Sequence, residues 1–239
     1  VHAYASRFFA PTKEEGVTSN PTNLLGTMYL GGFVVPFIVT CLLTVLTLTM
    51  ERFIALGKAA GKGNQTKFVA EVKKALNEKN VAKAEELCKK QKGTVGAIVY
   101  ATLAKYKEME ANTILPKEQK LAVIQEQLAE ATALEMPSLQ QNLPILATMT
   151  TLGTLLGLFG TVVGMIKSFQ ALGNAGAPDS AELSKGISEA LVNTASGILT
   201  AVCALIAYNF FTNKIDNLTY AVDELGFAIV NAYAANHAN

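Results

Sequence analysis

Two long stretches without a charged residue dominate the second half of this sequence. No Asp, Glu, Lys or Arg occurs in residues 136–166 or in residues 190–213, spans of 31 and 24 residues. About 20 apolar residues in a helix cross the roughly 30 Å hydrocarbon core of a bilayer. A third uncharged stretch, residues 16–50, lies near the start of the chain. The sequence therefore predicts three transmembrane helices.

The composition agrees with a membrane protein. Half of the residues are hydrophobic and 16% are charged, whereas a soluble domain carries about a quarter charged residues. The mean hydropathy is +0.29, and the net charge of +1 leaves no electrostatic footprint for nucleic acid. The sequence also lacks a nucleophile–base pattern, a Cys/His cluster and a glycine-rich phosphate loop. We expect a protein of the lipid bilayer that is not an enzyme and takes no cofactor, metal or nucleic acid.

Residues 52–142 have a different character from the uncharged stretches. They hold 15 of the 20 basic residues of the chain. Phe68, Val72 and Leu76 recur at helical spacing among Lys and Glu, which predicts amphipathic helices with one wet face. Glycine and proline at residues 61–64, 92–93 and 115–116 predict the breaks between these helices.

Basic residues close to a membrane segment bias that side toward the cytoplasm. Arg52, directly after the first uncharged stretch, is therefore the predicted topology anchor, which places the N-terminus outside and the C-terminus inside. The predicted organisation is a periplasmic segment at 1–23, transmembrane helices at 24–51, 143–169 and 186–212, a cytoplasmic helical domain at 52–142, a periplasmic loop at 170–185 and a cytoplasmic tail helix at 213–239.

The second predicted transmembrane helix carries a glycine face. Gly153, Gly157, Gly160 and Gly164 fall at offsets of 0, 4, 7 and 11 residues, which is one side of a helix. Small residues at this spacing let a neighbouring backbone approach closely. Threonines mark an adjacent face, and they have two interpretations. Their hydroxyls either bond to carbonyls of their own helix or line a polar path through an oligomer.

The third predicted transmembrane helix carries polar side chains on two faces. Glu189 and Asn193 share one face, and Thr194 and Gly197 share another. A carboxylate costs about 2.5–3.5 kcal/mol at the centre of a membrane helix. Glu189 is therefore either an interfacial residue that reaches the membrane surface or a functional one. Five residues separate it from Thr194, about 140° of rotation, so the two cannot face one pore axis on a single helix.

Two segments carry a resemblance to a known family. LGLFGTVVGMIKSF and GISEALVNTASGILTAVCALIAYNFF resemble the helix-two and helix-three motifs of the MotA/TolQ/ExbB proton-channel family, and those of ExbB most closely. The resemblance is strong over about residues 143–218. It implies an all-α membrane protein that assembles as a homopentamer around a central pore, in the bacterial inner membrane.

The resemblance also implies partners and a site. The pore would hold an ExbD-like single-span protein with a membrane Asp, and the complex would drive a TonB-like protein. Glu189 matches the functional glutamate of the family and Thr194 matches its pore threonine. The second pore-threonine position holds Leu152, so Thr151 and Thr154 are the candidate substitutes. Asn193 completes the predicted ion path, and the predicted packing set is Gly153, Gly157, Gly160, Gly164 and Gly197.

The chain carries no Asp or His in the middle of its predicted membrane helices. A partner must then supply the group that takes up and releases protons. Alternatives to the ExbB-like role are a TolQ-like subunit of an envelope-integrity system, a MotA-like rotary stator and a membrane scaffold that conducts no ions.

Overall fold

The computed structural model describes residues 31–174 and 180–237, and every regular element within them is a helix. A single 3-10 turn, Gly32–Val34, leads into the first of these helices. The α-helices are α1 (Val35–Ala59), α2 (Gln65–Asn77), α3 (Val81–Gln91), α4 (Gly93–Ala111), α5 (Lys117–Gln140), α6 (Leu143–Asn174) and α7 (Ser180–Asn236).

Within the described residues, three helical stretches are long and apolar enough to cross a membrane. They are Gly32–Ala59, the α5–α6 stretch Lys117–Gly173, and α7. The predicted all-helical architecture with three apolar helices is confirmed. Orientation, oligomer and pore stay predictions. The predicted segment 1–23, the start of the first membrane segment and residues 175–179 of the predicted loop lie outside the described residues.

The helices run past several boundaries that charge and composition suggested. α1 continues to Ala59, beyond residue 51, and α7 is one helix through residues 212 and 213. The breaks at 60–64, at Lys92 and near Pro116 fall between helices as predicted. Residues 78–80 form a further break, at which Lys79 adopts a φ of 55°. Neither Gly nor Pro marks that position, so this break was not predicted from the sequence.

The chain forms two compact units. The first comprises Val1–Thr49 and Ile145–Tyr208, so its described part contains the apolar portions of α1, α6 and α7. Its helices pack through small residues, and large apolar side chains such as Leu155, Leu158 and Phe169 are more than half exposed. This distribution suits a surface in contact with lipid.

The second unit comprises Met50–Pro144 and Asn209–Asn239. Asn64 caps α2 through Thr66 N, and Asn80 caps α3 through Lys83 N, each at 3.0 Å. Large side chains fill its core. The rings of Tyr106 on α4 and Tyr233 on α7 meet edge to face with centroids 4.8 Å apart. Other fully buried members of this core are Leu56, Val72, Ile98, Val99, Leu103, Ile124, Leu218, Leu225 and Ile229.

Candidate functional site

Glu189 lies in the first unit, on α7, and is buried to 5% exposure. An unpaired carboxylate at such a position would be costly. Its Oε1 accepts a hydrogen bond from Nζ of Lys167 on α6 at 2.6 Å. The two side chains differ in exposure, 7% for the glutamate and 46% for the lysine. The buried member of this pair is thus the acid, and the lysine reaches it from a more open position.

The 3-10 turn before α1 contacts both members of the pair. Nζ of Lys167 lies 5.9 Å from the ring centroid of Phe33, within the range of a cation–π contact. Gly32 has a φ of +71°, and a Cβ built on it would stand 1.8 Å from Oε1 of Glu189. Glycine is therefore required at residue 32 for two reasons, the left-handed backbone and the carboxylate against it.

Asn193, one turn after Glu189, ties the same elements together. Its Nδ2 donates to the carbonyl oxygen of Gly31 at 2.9 Å. Among the described residues, its buried Oδ1 has no hydrogen-bond partner. Asn193 and Glu189 therefore share one face of α7, and both contact the first residues of the α1 region.

The glycine face of α6 lies against α7. A Cβ on Gly153 would stand 3.0 Å from the carbonyl oxygen of Gly197, and a Cβ on Gly164 would stand 2.8 Å from that of Gly186. Gly157 and Gly160 approach the backbone and side chain of Asn193 in the same way. We call these contacts the glycine seam, formed by Gly153, Gly157, Gly160 and Gly164 of α6 and Gly186, Ala190, Asn193, Gly197 and Ala201 of α7.

Thr194 points in a different direction from Glu189. Its hydroxyl lies 3.3 Å from the Ala190 carbonyl of its own helix and 3.5 Å from the Gly157 carbonyl of α6. Thr151 and Thr154 are exposed on α6, and Thr154 donates to the Thr150 carbonyl at 3.2 Å. The structure thus groups Glu189 with Asn193, and it leaves the three threonines apart from them.

Arg52 belongs to the second unit, where it is 2% exposed. Its Nε donates to Oε2 of Glu51 at 2.6 Å. Its Nη1 donates to the carbonyl oxygens of Ser138 and Leu139 at 3.3 and 3.4 Å. These carbonyls belong to the last turn of α5, where helical acceptors lack partners. The predicted topology anchor is therefore also a helix cap for α5.

Sequence reasoning missed three contributors to the Glu189 cluster: Lys167, Gly31 and Gly32. Lys167 is the residue that ends the uncharged stretch of 136–166, but nothing in the spacing along α6 indicates its contact with Glu189. Gly186 was also left out of the packing set. Its spacing to Ala190, Asn193 and Gly197 repeats the 0, 4, 7 and 11 offsets of the α6 glycines, and this repeat was the available signal.

The cluster offers an anionic oxygen, an ammonium group and an amide within uncharged helices. Such a set can hold and pass a charge in surroundings that otherwise disfavour it. Among residues 31–174 and 180–237, no group of three or more His, Cys, Asp or Glu side chains is placed to hold a metal ion.

Comparison with known proteins bears on this site. The model of a family described as the MotA/TolQ/ExbB proton channel family matches residues 65–224. The chain is 40% identical over 88 residues to the Tol-Pal system protein TolQ of Pseudomonas aeruginosa, which covers 37% of this chain and 38% of that protein. It is 30% identical over 149 residues to the biopolymer transport protein ExbB of Pseudomonas putida, covering 62% of this chain and 43% of that protein.

A third relative is the biopolymer transport protein ExbB of Neisseria gonorrhoeae. It is 31% identical over 123 residues, which cover 50% of this chain and 54% of that protein. The chain therefore spans about two fifths to one half of the length of these curated relatives.

Proposed function

The chain belongs to the MotA/TolQ/ExbB proton channel family, and from that premise we propose that it is an ExbB-like stator subunit of the bacterial inner membrane. With an ExbD-like partner, it converts the proton motive force into work on a TonB-like protein. That work drives outer-membrane transport of iron complexes or cobalamin. The partner is a single-span protein, and its membrane aspartate takes and releases protons inside the pore.

The observation that supports this proposal is the buried Glu189 cluster in a glycine-packed unit. Ionisable residues inside membrane helices are costly and mark ion pathways. Here the carboxylate is 5% exposed and is held by Lys167 at 2.6 Å. A scaffold with no ion path would gain nothing from this pair, since an apolar side chain would fill the same space at lower cost.

We further propose three spans with the N-terminus outside and the C-terminus inside. The segments are those predicted from the sequence, with residues 52–142 in the cytoplasm. The 15 basic residues of that region support this orientation. Because long loops follow the charge rule less strictly, the juxtamembrane Arg52 and Lys58 carry most of the weight.

The proposed assembly is a homopentamer whose pore is lined by α6 and α7. Thr151 and Thr154 are exposed hydroxyl residues on α6. The Thr154 hydroxyl donates to the Thr150 carbonyl of its own helix, and its oxygen can still accept a hydrogen bond from a polar group in a pore. We therefore assign Thr151, Thr154 and Thr194 to the pore side, and Glu189 with Asn193 to the wall behind it.

The energetics require the partner. One proton that crosses a potential of 100 mV releases about 2.3 kcal/mol, so mechanical work on another protein needs a cycle of several protons. The uncharged stretches of α6 and α7 contain no Asp. The residue that takes up and releases each proton is then expected on the single-span partner, as the proposal states.

Co-purification followed by proton-flux measurement tests the proposal. The chain is co-expressed with an ExbD-like single-span protein, and the complex is reconstituted in proteoliposomes. Glu189→Gln and Thr194→Val should each lower the proton flux, by about tenfold where one charge-assisted hydrogen bond is lost. Thr47→Val is the control, because the Thr47 hydroxyl bonds within α1 to the Leu43 carbonyl.

Two results would contradict the proposal. Unchanged flux in both Glu189→Gln and Thr194→Val would remove the ion-path assignment and favour a scaffold. Failure to recover a single-span partner with a membrane Asp would remove the stator assignment as a whole.

A TolQ-like role is the second candidate, since the chain is 40% identical over 88 residues to a Tol-Pal system protein TolQ. Deletion of the gene separates the two roles. Loss of siderophore-dependent growth supports the ExbB-like role, whereas detergent sensitivity and chained cells support the TolQ-like role.

A further inference from the structure

Lys167 is a charged residue in contact with the proposed ion path, and no role has yet been assigned to it. Its Nζ lies 2.6 Å from Oε1 of Glu189. It comes from a different helix, 22 positions earlier in the chain, so the contact depends on how α6 and α7 pack. The glycine seam fixes that packing, because its contacts at Gly186 and Asn193 lie before and after Glu189 on α7.

The surroundings leave the Glu189 carboxylate little freedom. On the α1 side, the backbone of Gly32 stands so close that a Cβ there would lie 1.8 Å from Oε1. On its own helix, Ala190 and Asn193 are both buried against neighbours. The open direction is toward Lys167, whose side chain is 46% exposed and whose ammonium also faces the Phe33 ring at 5.9 Å.

Among the described residues, Lys167 is the charged group in contact with this carboxylate. The segment before α1 contributes Gly31, Gly32 and Phe33, none of which carries a charge. On α7 itself, Lys185 and Glu182 lie one and two turns before Glu189, and both are exposed. Lys185 therefore carries the same charge as Lys167 and lies one helical turn from Glu189, but it is exposed and does not take part in the Lys167–Glu189 contact.

We propose that Lys167 is a positioning residue for Glu189: its ammonium holds the carboxylate in one place against the 3-10 turn before α1. While the pair is closed, the Glu189 carboxylate keeps a single position beside the path. A proton reaches Glu189 only after Lys167 moves away. This inference rests on the proposed function, because it concerns the same glutamate.

Carbodiimide labelling tests the pair without any need for proton conduction. An apolar carbodiimide adds to the oxygen of a protonated carboxyl, whose proton passes to the carbodiimide nitrogen, and the adduct rearranges to a stable acylurea. A carboxylate whose oxygen is engaged by an ammonium group, as that of Glu189 is by Lys167, reacts slowly. Dicyclohexylcarbodiimide is applied at neutral pH to membranes that contain the full chain, and mass spectrometry measures labelling of the peptide that contains Glu189.

Lys167→Met should raise the rate of labelling at Glu189 by about tenfold or more, the scale for loss of one charged hydrogen-bond partner. Lys167→Arg restores the positive charge and should return the rate to within about twofold of the original. Lys185→Met is the matched control. It removes an equal charge one turn from Glu189 and should leave the rate unchanged.

Three results would overturn the inference: labelling of Lys167→Met at the original rate, labelling of Lys167→Arg as fast as that of Lys167→Met, or an equal rise of the labelling rate in Lys185→Met.

A double variant separates loss of the pair from loss of folding. Lys167→Met/Glu189→Gln has no charge at either position and should reach the membrane at the original level. If Lys167→Met alone fails to accumulate while this double variant accumulates, the unpaired carboxylate is the cause and the pairing is supported. Equal loss of both would assign Lys167 a purely structural role.

Proton flux in the reconstituted complex separates this inference from the proposed function. The proton flux of the Lys167→Met complex should differ from that of the original complex, whereas the flux of Lys167→Arg and of Lys185→Met should equal it. If the unsubstituted complex conducts no protons, the proposed function fails, while the labelling rates still decide the pairing. If the complex conducts and Lys167→Met leaves both flux and labelling unchanged, the positioning role alone fails.

Discussion

In the first unit, α6 and α7 approach each other through glycine and alanine, and many large apolar side chains, such as Leu155, Leu158 and Phe169, are exposed. In the second unit, the order is reversed: Leu103, Tyr106 and Ile98 fill the interior, and the lysines and glutamates are mostly exposed. Water drives large apolar side chains inward. Lipid does not, so helices there associate through close backbone contact.

Among the described residues, each unit also contains an ion pair in which one side chain is buried and the other is partly exposed. In the first unit the acid is buried, Glu189 at 7% side-chain exposure against 46% for Lys167. In the second unit the base is buried, Arg52 at 3% against 43% for Glu51. Arg52 additionally bonds two carbonyls at the end of α5, so its charge serves the fold. Among the described residues, the Glu189 carboxylate accepts its hydrogen bond from Lys167, so it becomes available for another task once that lysine moves.

The largest effect should come from the core of the second unit. Leu103 is fully buried, and Leu103→Ala should lower the free energy of unfolding of that unit by about 3 kcal/mol. Leu155→Ala, at a 54% exposed position of α6, should change stability by less than about 0.5 kcal/mol. Hydrogen exchange resolved by helix, on the purified chain in detergent, measures both. Equal losses at the two positions would abolish the contrast between the units.

A somewhat smaller effect is expected at the glycine seam. Gly164→Leu brings a Cβ to 2.8 Å from the Gly186 carbonyl, so the α6–α7 contact must widen at a cost of about 2 kcal/mol. Thermal unfolding in detergent should show a lower midpoint. Gly173→Leu is the control on the same helix, since no described atom lies within 4 Å of a Cβ built there. A tolerated Gly164→Leu would mean that backbone proximity does not hold the first unit together.

The sequence was sufficient for the three apolar helices and for the glycine face of α6, because both depend on composition and helical spacing along one segment. It was not sufficient for the partners of Arg52. The membrane boundary at residue 51 stays a prediction; the helix continues past it to Ala59, and Arg52 finds carbonyl partners at Ser138 and Leu139. Such long-range partners leave no trace in local spacing.

The partners within the candidate site were likewise not predictable from the spacing along one helix. Glu189 stood out as an acid beside an uncharged stretch, whereas its partner Lys167 did not. Their contact depends on the rotation of α6 relative to α7, which the glycine seam sets, and no pattern within one helix encodes that rotation. Gly32 was equally hidden, because its requirement arises from the Glu189 carboxylate packed against it.

Arg52 offers a sharper comparison with Lys167. Arg52→Met removes hydrogen bonds to two carbonyls and to Glu51, and should destabilise the second unit by about 1.5 kcal/mol. Arg52→Lys keeps the charge but lacks the planar fork, so it should recover only part of that loss. Proton flux per assembled complex should stay unchanged in both variants. Thermal unfolding and proton flux are measured on the same preparations. If Arg52→Lys restored stability fully, or if either variant lost proton flux, Arg52 would not be a residue that serves only the fold.

The smallest effect at neutral pH concerns Cys88, in the core of the second unit. Burial raises the pKa of this thiol from about 9 to about 12, and the nearby Glu85 adds to the rise. Because the folded chain keeps a proton that the unfolded chain loses, the stability contributed by Cys88 is complete below pH 9. It is lost as the pH rises from 9 toward 12. Cys88→Ala should flatten the decline of the unfolding midpoint across that window.

At pH 8 the thiolate fraction of Cys88 should be about a thousandth of that of a free cysteine with the ordinary pKa. Iodoacetamide should therefore modify Cys88 only after denaturation. Rapid modification of the native chain would show that water enters the core of the second unit, and the contrast between the two units would then fail at this position.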